Sequence, residues 1–356
     1  MDSRRQFHNI EDKDSENPSI SIMQWNILAD SLCDSKAFPL VPIDQLSYSN
    51  RHSKMISYIK EMSPDILCLE ECDHPNQFVA DLKDIYSDHI FLKKTNSYGN
   101  DGNLLLYKSK FQLLNMEKES YISSECWQPF ENTNYTLENY NDWVNSMKPA
   151  SQCFVYAKFQ ENDSQRKFSV LMTHLKAKKP FEAVRCQQVK QICQFLKFKN
   201  CSDNCFVLGD FNADREEDAI TVMRKNQFKG VFDWYEEDPE NYKKLFTSFK
   251  YHVAGKKELR VIDYIWYSDK SARLQKVLMP PALDTISNDK GMPDLHNPSD
   301  HLPLYAEFAL LNTSSSPNSK LVTTENIANH DPSVKNVYII KRLWDSPDTI
   351  TCLKQV

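Results

Sequence analysis

Cys205-Phe206-Val207-Leu208-Gly209-Asp210-Phe211-Asn212 is the stretch that decides how this chain reads. A run of four apolar residues closed by glycine is the pattern of a short buried strand. Its last steps carry a carboxylate and a carboxamide. Residues two apart on an extended segment point the same way, so Asp210 and Asn212 face one spot. An acid beside an amide suits a site that holds a metal-bound water and a phosphate oxygen together.

The same pattern recurs at other apolar runs. Asn26 follows Met23-Gln24-Trp25, Glu70-Glu71 follow Ile66-Leu67-Cys68-Leu69, and His174 follows Val170-Leu171-Met172-Thr173. Asp300-His301 precede Leu302-Pro303-Leu304-Tyr305, and Asp263 lies inside the run 261–267. Each has a plainer explanation: a turn former, a solvated acid pair, a surface histidine. Acids, amides and histidines at the ends of separate strands are together what an assembled site looks like. A carboxylate inside an apolar run also needs a compensating partner such as histidine or a metal.

The chemistry this set can do is hydrolysis at phosphorus. Magnesium takes oxygen ligands, keeps waters and binds substrate phosphate, and Glu71 with Asn26 nearby is the natural place for it. His301 oriented by Asp263 makes a general base or a phosphate-stabilising group. Asn212 and His174 could hold phosphoryl oxygens as charge builds. No cysteine, serine or lysine stands out as a covalent nucleophile, which favours direct attack by water.

Composition narrows the setting. With 356 residues, 40% hydrophobic and 12% aromatic, the chain is long enough for a substantial core and unlike a disordered one. No run approaches the roughly 18 apolar residues of a membrane helix, so no membrane association is expected. The ten cysteines are scattered, without histidines at zinc-site spacing. Reduced thiols and a charged, polar beginning make a cytoplasmic location the expectation. A net charge of −6 disfavours a broad grip on duplex nucleic acid, so phosphates need a local lysine cluster or a metal.

Residues 1–19 read as a disordered tail, 20–310 as one catalytic domain, and 311–356 as a linker and C-terminal extension. Strands are expected at 19–25, 65–69, 103–107, 153–159, 168–173, 205–208, 261–267 and 302–308. Helices are expected at 51–62, 78–85, 183–198 and 216–226. Between them, 116–150 reads as a long aromatic connection containing Trp127, Tyr135, Tyr140 and Trp143.

Met23 to Ala29, Pro64 to Glu71, Thr173-His174-Leu175, Gly209 to Asn212, Ile262 to Tyr267 and Ser299-Asp300-His301 occur in family order. Over about residues 20–310 they resemble the endonuclease/exonuclease/phosphatase superfamily, in its deadenylase-like branch. The resemblance implies a four-layer, two-sheet α/β sandwich with the site at one edge, acting as a magnesium-dependent phosphoester hydrolase. It implies Glu71 as metal ligand and Asp210, Asn212, Asp263 and His301 as the hydrolytic core, completed by His174, Asp300 and Asn26. Either His301 or Asp210 serves as base. Lys176 and Lys178, with Arg185 on the helix behind them, would hold further substrate phosphates, and Lys93 the scissile side. The implied substrate is the 2′-phosphate of NADP(H), acted on by a monomer. The alternatives are an RNA 3′ end trimmed by a 3′–5′ exoribonuclease, and a non-catalytic scaffold. Two departures from the family pattern stand out. Glu70 replaces a glutamine, adding charge beside the metal ligand. Lys178 replaces an arginine, losing the planar fork that grips phosphate.

Overall fold

Alternation along the central strands sorts the core into layers. The computed structural model describes residues 5–10, 19–94, 99–122, 149–199, 204–251, 256–286 and 290–311. In one sheet, β1 (Phe7–Asn9), β14 (Ala272–Leu278), β15 (Leu304–Leu310), β2 (Ser19–Asn26), β3 (Ile66–Cys72), β5 (Gly102–Tyr107) and β4 (Asp88–Lys93) lie side by side. The other runs β10 (Lys229–Gly230), β13 (Asp263–Tyr267), β9 (Cys205–Asp210), β8 (Lys167–His174), β7 (Pro149–Glu161) and β6 (Phe111–Ile122). A small hairpin, β11 (Ser248–Tyr251) with β12 (Lys257–Arg260), sits apart from both.

Ile20, Ile22, Ile66, Cys68 and Leu105 share a buried cluster with Val155, Val170 and Phe206 of the second sheet. The intervening residues Met23, Trp25, Leu67, Leu69, Leu104 and Leu106 pack with Met55, Ile59, Phe78 and Leu82 of the helices Tyr48–Met62 and Pro75–Leu82. Helices Glu182–Phe198 and Asp218–Lys225 bring Val189, Ile192, Phe195, Ile220 and Met223 to the second sheet. The result is the helix–sheet–sheet–helix sandwich expected from the sequence.

Topology then collects the polar strand ends. β2/β3 and β8/β9 are parallel pairs, while β13 runs antiparallel to β9 and β15 antiparallel to β2. The C-terminal ends of the parallel pairs and the beginnings of β13 and β15 therefore meet at one edge. Gly209 makes the β8/β9 approach possible. It has φ +143°, and a Cβ there would lie 1.8 Å from the Thr173 carbonyl oxygen.

Two expectations need correction. The beginning of the chain is not wholly a tail: β1 pairs with β14, and Arg5 is buried, donating to the carbonyls of Met279, Leu278 and Pro303 and to Tyr58 Oη. The 116–150 connection is shorter than expected, because β6 continues to Ile122 and β7 begins at Pro149. Trp127, Tyr135, Tyr140 and Trp143 lie outside the described residues, as does 312–356. Strands β4, β6, β11, β12 and β14 were not anticipated.

Candidate active site

Asn26 ties the two sheets together where they converge. Its Nδ2 donates to Asp210 Oδ2 at 3.0 Å and Glu71 Oε1 at 3.2 Å, and its Oδ1 accepts the Leu28 N–H. Glu71 reaches this point through a break in strand geometry. The β3/β5 register shifts between Leu69 and Cys72, and Glu71 adopts φ +55°. Without that bulge Glu71 would face away from Glu70; with it, the carboxylate swings to the sheet edge and also accepts the Ala29 N–H.

Asp210 is buried and closely surrounded. His174 Nε2 lies 3.5 Å and His301 Nε2 3.8 Å from its Oδ2, while its Oδ1 accepts the Asn212 N–H at 2.8 Å. Burial raises its pKa against the lowering influence of both histidines. Asn212 has φ +50° and one amide hydrogen bonded to the Leu175 carbonyl. His174 is held neutral: burial, then the charge of Lys94, pushes its pKa down to about 3.

His301 is the opposite case. Its Nδ1 bonds Asp263 Oδ2 at 2.9 Å. Burial alone would lower its pKa, but the carboxylates of Asp263 and Asp210 outweigh burial and hold it well above the ordinary histidine range. Asp263 is fully partnered, by Gln24 Nε2 at 3.2 Å, Thr247 Oγ1 at 2.7 Å and His301. Asp210, Asp263 and His301 form a tight set with candidate ligand atoms all within 4.8 Å of one another.

Glu70 is not solvated. It is fully buried, accepting from Gln24 Nε2 at 2.8 Å, and burial raises its pKa far above the usual carboxylate range. Burial thus favours its uncharged form, against the expectation of added charge beside Glu71.

Other sequence candidates are not part of the cluster. Asp300 lies with its carboxylate 3.8 Å from Lys250 Nζ, which itself sits over the Phe38 ring. Lys93 is exposed and donates to Asn100. Its neighbour Lys94 faces the site instead, paired with Asp101 at 2.7 Å and under the influence of Glu71 and Asp210. Strand alternation could have found it, since Ile90, Leu92 and Lys94 share a face. Arg185 is not a substrate ligand: it is buried, and its guanidinium is bonded to Glu217 and to the carbonyls of Lys176 and Lys178. Lys176 is half-buried with its Nζ over Phe181, and Lys178 is exposed, both on the loop just past His174. Thr247, which accepts the Ile262 and Asp263 N–H groups while donating to Asp263, carried no signal in sequence.

The donor set fits a divalent cation. Glu71 Oε1 and Asp210 Oδ2, each bonded to the same nitrogen, lie less than about 6 Å apart, a repulsion of order 3 kcal/mol at an effective dielectric near 20. The carboxylates of Glu71, Asp210, Asp263 and Asp101 outnumber the cations Lys94 and His301 by two. That excess is what one divalent ion balances.

Known proteins are similar to this chain in sequence and in fold. The sequence pattern of the Endonuclease/Exonuclease/phosphatase family matches residues 194–301, and nocturnin of Rattus norvegicus is 28% identical over 315 residues, 84% of this chain and 67% of that protein. The chain thus resembles the endonuclease/exonuclease/phosphatase family. Within it, the CCR4-Not complex 3′-5′-exoribonuclease subunit of Neurospora crassa is 23% identical, covering 82% of this chain and 45% of that one. The human nocturnin catalytic domain with bound sulfate anion superposes with a TM-score of 0.63 at 23% identity, covering 87% of this chain and 98% of the domain. ANGEL2, a 2′,3′-cyclic phosphatase, gives 0.65 at 19% identity, covering 86% and 98%. Both likenesses bear on the family's fold, and the family's two-sheet core is the one described above.

Proposed function

We propose that this phosphoester hydrolase works with one divalent cation, magnesium first, and removes the 2′-phosphate of NADP(H). The observation that carries the reading is the convergence of Glu71 and Asp210 on one Asn26 amide, between neutral His174 and the His301–Asp263 pair. Glu71, with Asn26 beside it, would hold the ion, whose chemistry there is charge neutralisation and polarisation of the phosphoryl group. Asp210 accepts the proton of the attacking water at Oδ2, with its other oxygen pinned by the Asn212 N–H. His301, kept cationic by Asp263, is the electrostatic partner of the phosphoryl oxygens rather than the base. The second amide hydrogen of Asn212 and the neutral ring of His174 complete the donors. Lys176 and Lys178 stand beside His174 for the substrate's other phosphates, and the motif resemblance implies NADP(H).

The test is release of phosphate from NADPH, against shortening of a poly(A) oligomer, with magnesium, by the chain and its Glu71→Ala variant. Phosphate release that drops at least about 100-fold in Glu71→Ala is expected. Shortening of poly(A) without phosphate from NADPH would replace the ester assignment by the 3′–5′ exoribonuclease reading, which the exoribonuclease relative favours. Turnover of neither would overturn both. The reading also assigns the chain to the cytoplasm as a monomer, which fractionation and sedimentation check. Its buried cysteines outside any disulfide, Cys68, Cys72 and Cys153 among them, support a reducing compartment.

A further inference from the structure

The non-glycine residues with left-handed backbone near the site include Asn212 at φ +50° and Lys178 at φ +79°. Such conformations persist only where the surroundings impose them. In both cases an arginine binds the carbonyl of the strained residue. Arg260 Nη2 donates to Asn212 O at 3.1 Å, and Arg185 Nη1 donates to Lys178 O at 2.8 Å and Lys176 O at 3.0 Å. The two arginines are joined. Arg260 grips the Asp214 carboxylate through Nε and Nη2, both at 3.0 Å, and Arg185 grips Glu217 through Nε at 2.8 Å and Nη2 at 2.9 Å. Glu217 Oε1 also accepts the Asp214 N–H at 3.1 Å, closing the chain. Arg185 is fully buried and Glu217 largely so, which makes their charge-assisted bonds strong and hard to replace by water, while in the Arg260 pair Asp214 is 34% exposed.

We propose that the chain Arg260–Asp214–Glu217–Arg185, two ion pairs joined by a backbone hydrogen bond, is a spacer fixing the separation between the hydrolytic centre and the Lys176–Lys178 loop. Glu217 touches neither end's reacting groups, yet it is a positioning residue for substrates whose second phosphate must reach the lysines while the first is cleaved. The inference rests on the phosphohydrolase reading above for its substrates, but the spacer itself is a property of the chain. It accounts for Arg185, whose buried guanidinium cannot meet substrate but can hold the loop that does. Arg260 also links the spacer to the other side of the site: its own carbonyl accepts the Thr247 N–H at 2.8 Å, and Thr247 holds Asp263.

The kinetic test compares NADPH with p-nitrophenyl phosphate, which has no second phosphate to place. In Glu217→Gln, KM for NADPH rises roughly 2- to 30-fold, the range of couplings carried through packed networks, while kcat and the p-nitrophenyl phosphate kinetics hold. A variant that merely weakened the fold would lose both substrates alike, and that result overturns the proposal. Amide hydrogen exchange provides a readout without turnover. Arg260→Lys speeds exchange across residues 176–179, and Arg185→Lys speeds it across 211–214, each at the far end of the chain. Changes confined to the altered residue's own end overturn the spacer, even if NADPH and p-nitrophenyl phosphate are both left intact and the proposed function fails on its own test.

Discussion

Glu70 illustrates how one position decides whether the site's charge balances. Alternation along β3 points it inward with Ile66 and Cys68, where no water reaches it and burial keeps it protonated. Its folded pKa is raised, so its contribution to stability is complete below the pKa of the unfolded chain and is lost as pH rises towards the folded value. Glu70→Gln keeps the shape and the bond to Gln24 without titrating. Thermal unfolding of the variant should match the parent near pH 4 and exceed it at pH 8 by at least about 1 kcal/mol; equal stability at both pH values would mean that Glu70 is not held neutral. His301 is raised for the opposite purpose, to keep a charge. Activity should climb as Asp210 loses its proton and fall as His301 loses its own, giving a bell-shaped profile. Asp263→Asn removes the strongest influence holding His301 up and leaves burial to lower it. The alkaline limb should then move to lower pH, with neutral-pH turnover down roughly 100- to 10,000-fold. An unmoved limb would detach that limb from His301.

At the scale of elements, the strand β1 is a test of what docks the chain's beginning. Arg5 sends bonds to three carbonyls and Tyr58, binding the β14 end to the β15 entrance and the helix Tyr48–Met62. Arg5→Ala takes a charged donor away from the buried carbonyls of Leu278, Met279 and Pro303, at a cost of roughly 2–3 kcal/mol. Chemical denaturation should register that loss without a change in m-value; a neutral Arg5→Ala would return 5–10 to the status of a tail. Sequence alone missed this segment because an arginine among acids resembles solvated chain, and burial of a charge has no local signature. Continuous apolar runs such as Ile66 to Leu69 and Cys205 to Leu208 were legible because both faces are covered. β6 was not, since it is an edge strand alternating between half-buried and exposed residues. Six of the site's polar positions were legible from strand ends. Glu71's aim depends on a bulge, and Lys94's on which of two adjacent lysines faces inward, neither of which a motif reveals.

At the scale of the molecule, the site exists only where two sheets meet. Asn26 and Glu71 come from one sheet and His174, Asp210 and Asp263 from the other, while His301 enters before β15 of the first. Folding therefore brings carboxylates together that the unfolded chain keeps apart, and their mutual repulsion opposes the native state. A divalent ion that binds this edge binds the folded chain and not the unfolded one, so it must stabilise the whole molecule by mass action. At a concentration 100 times its dissociation constant the gain is about 2.7 kcal/mol, enough to raise the melting temperature by roughly 5 °C in a chain of this size. Magnesium should produce that rise in the parent, and Glu71→Ala should lose most of it, whether or not either protein meets its substrate. An equal rise in both would locate the ion elsewhere, and no rise in the parent at millimolar magnesium would remove the cation from the proposed chemistry.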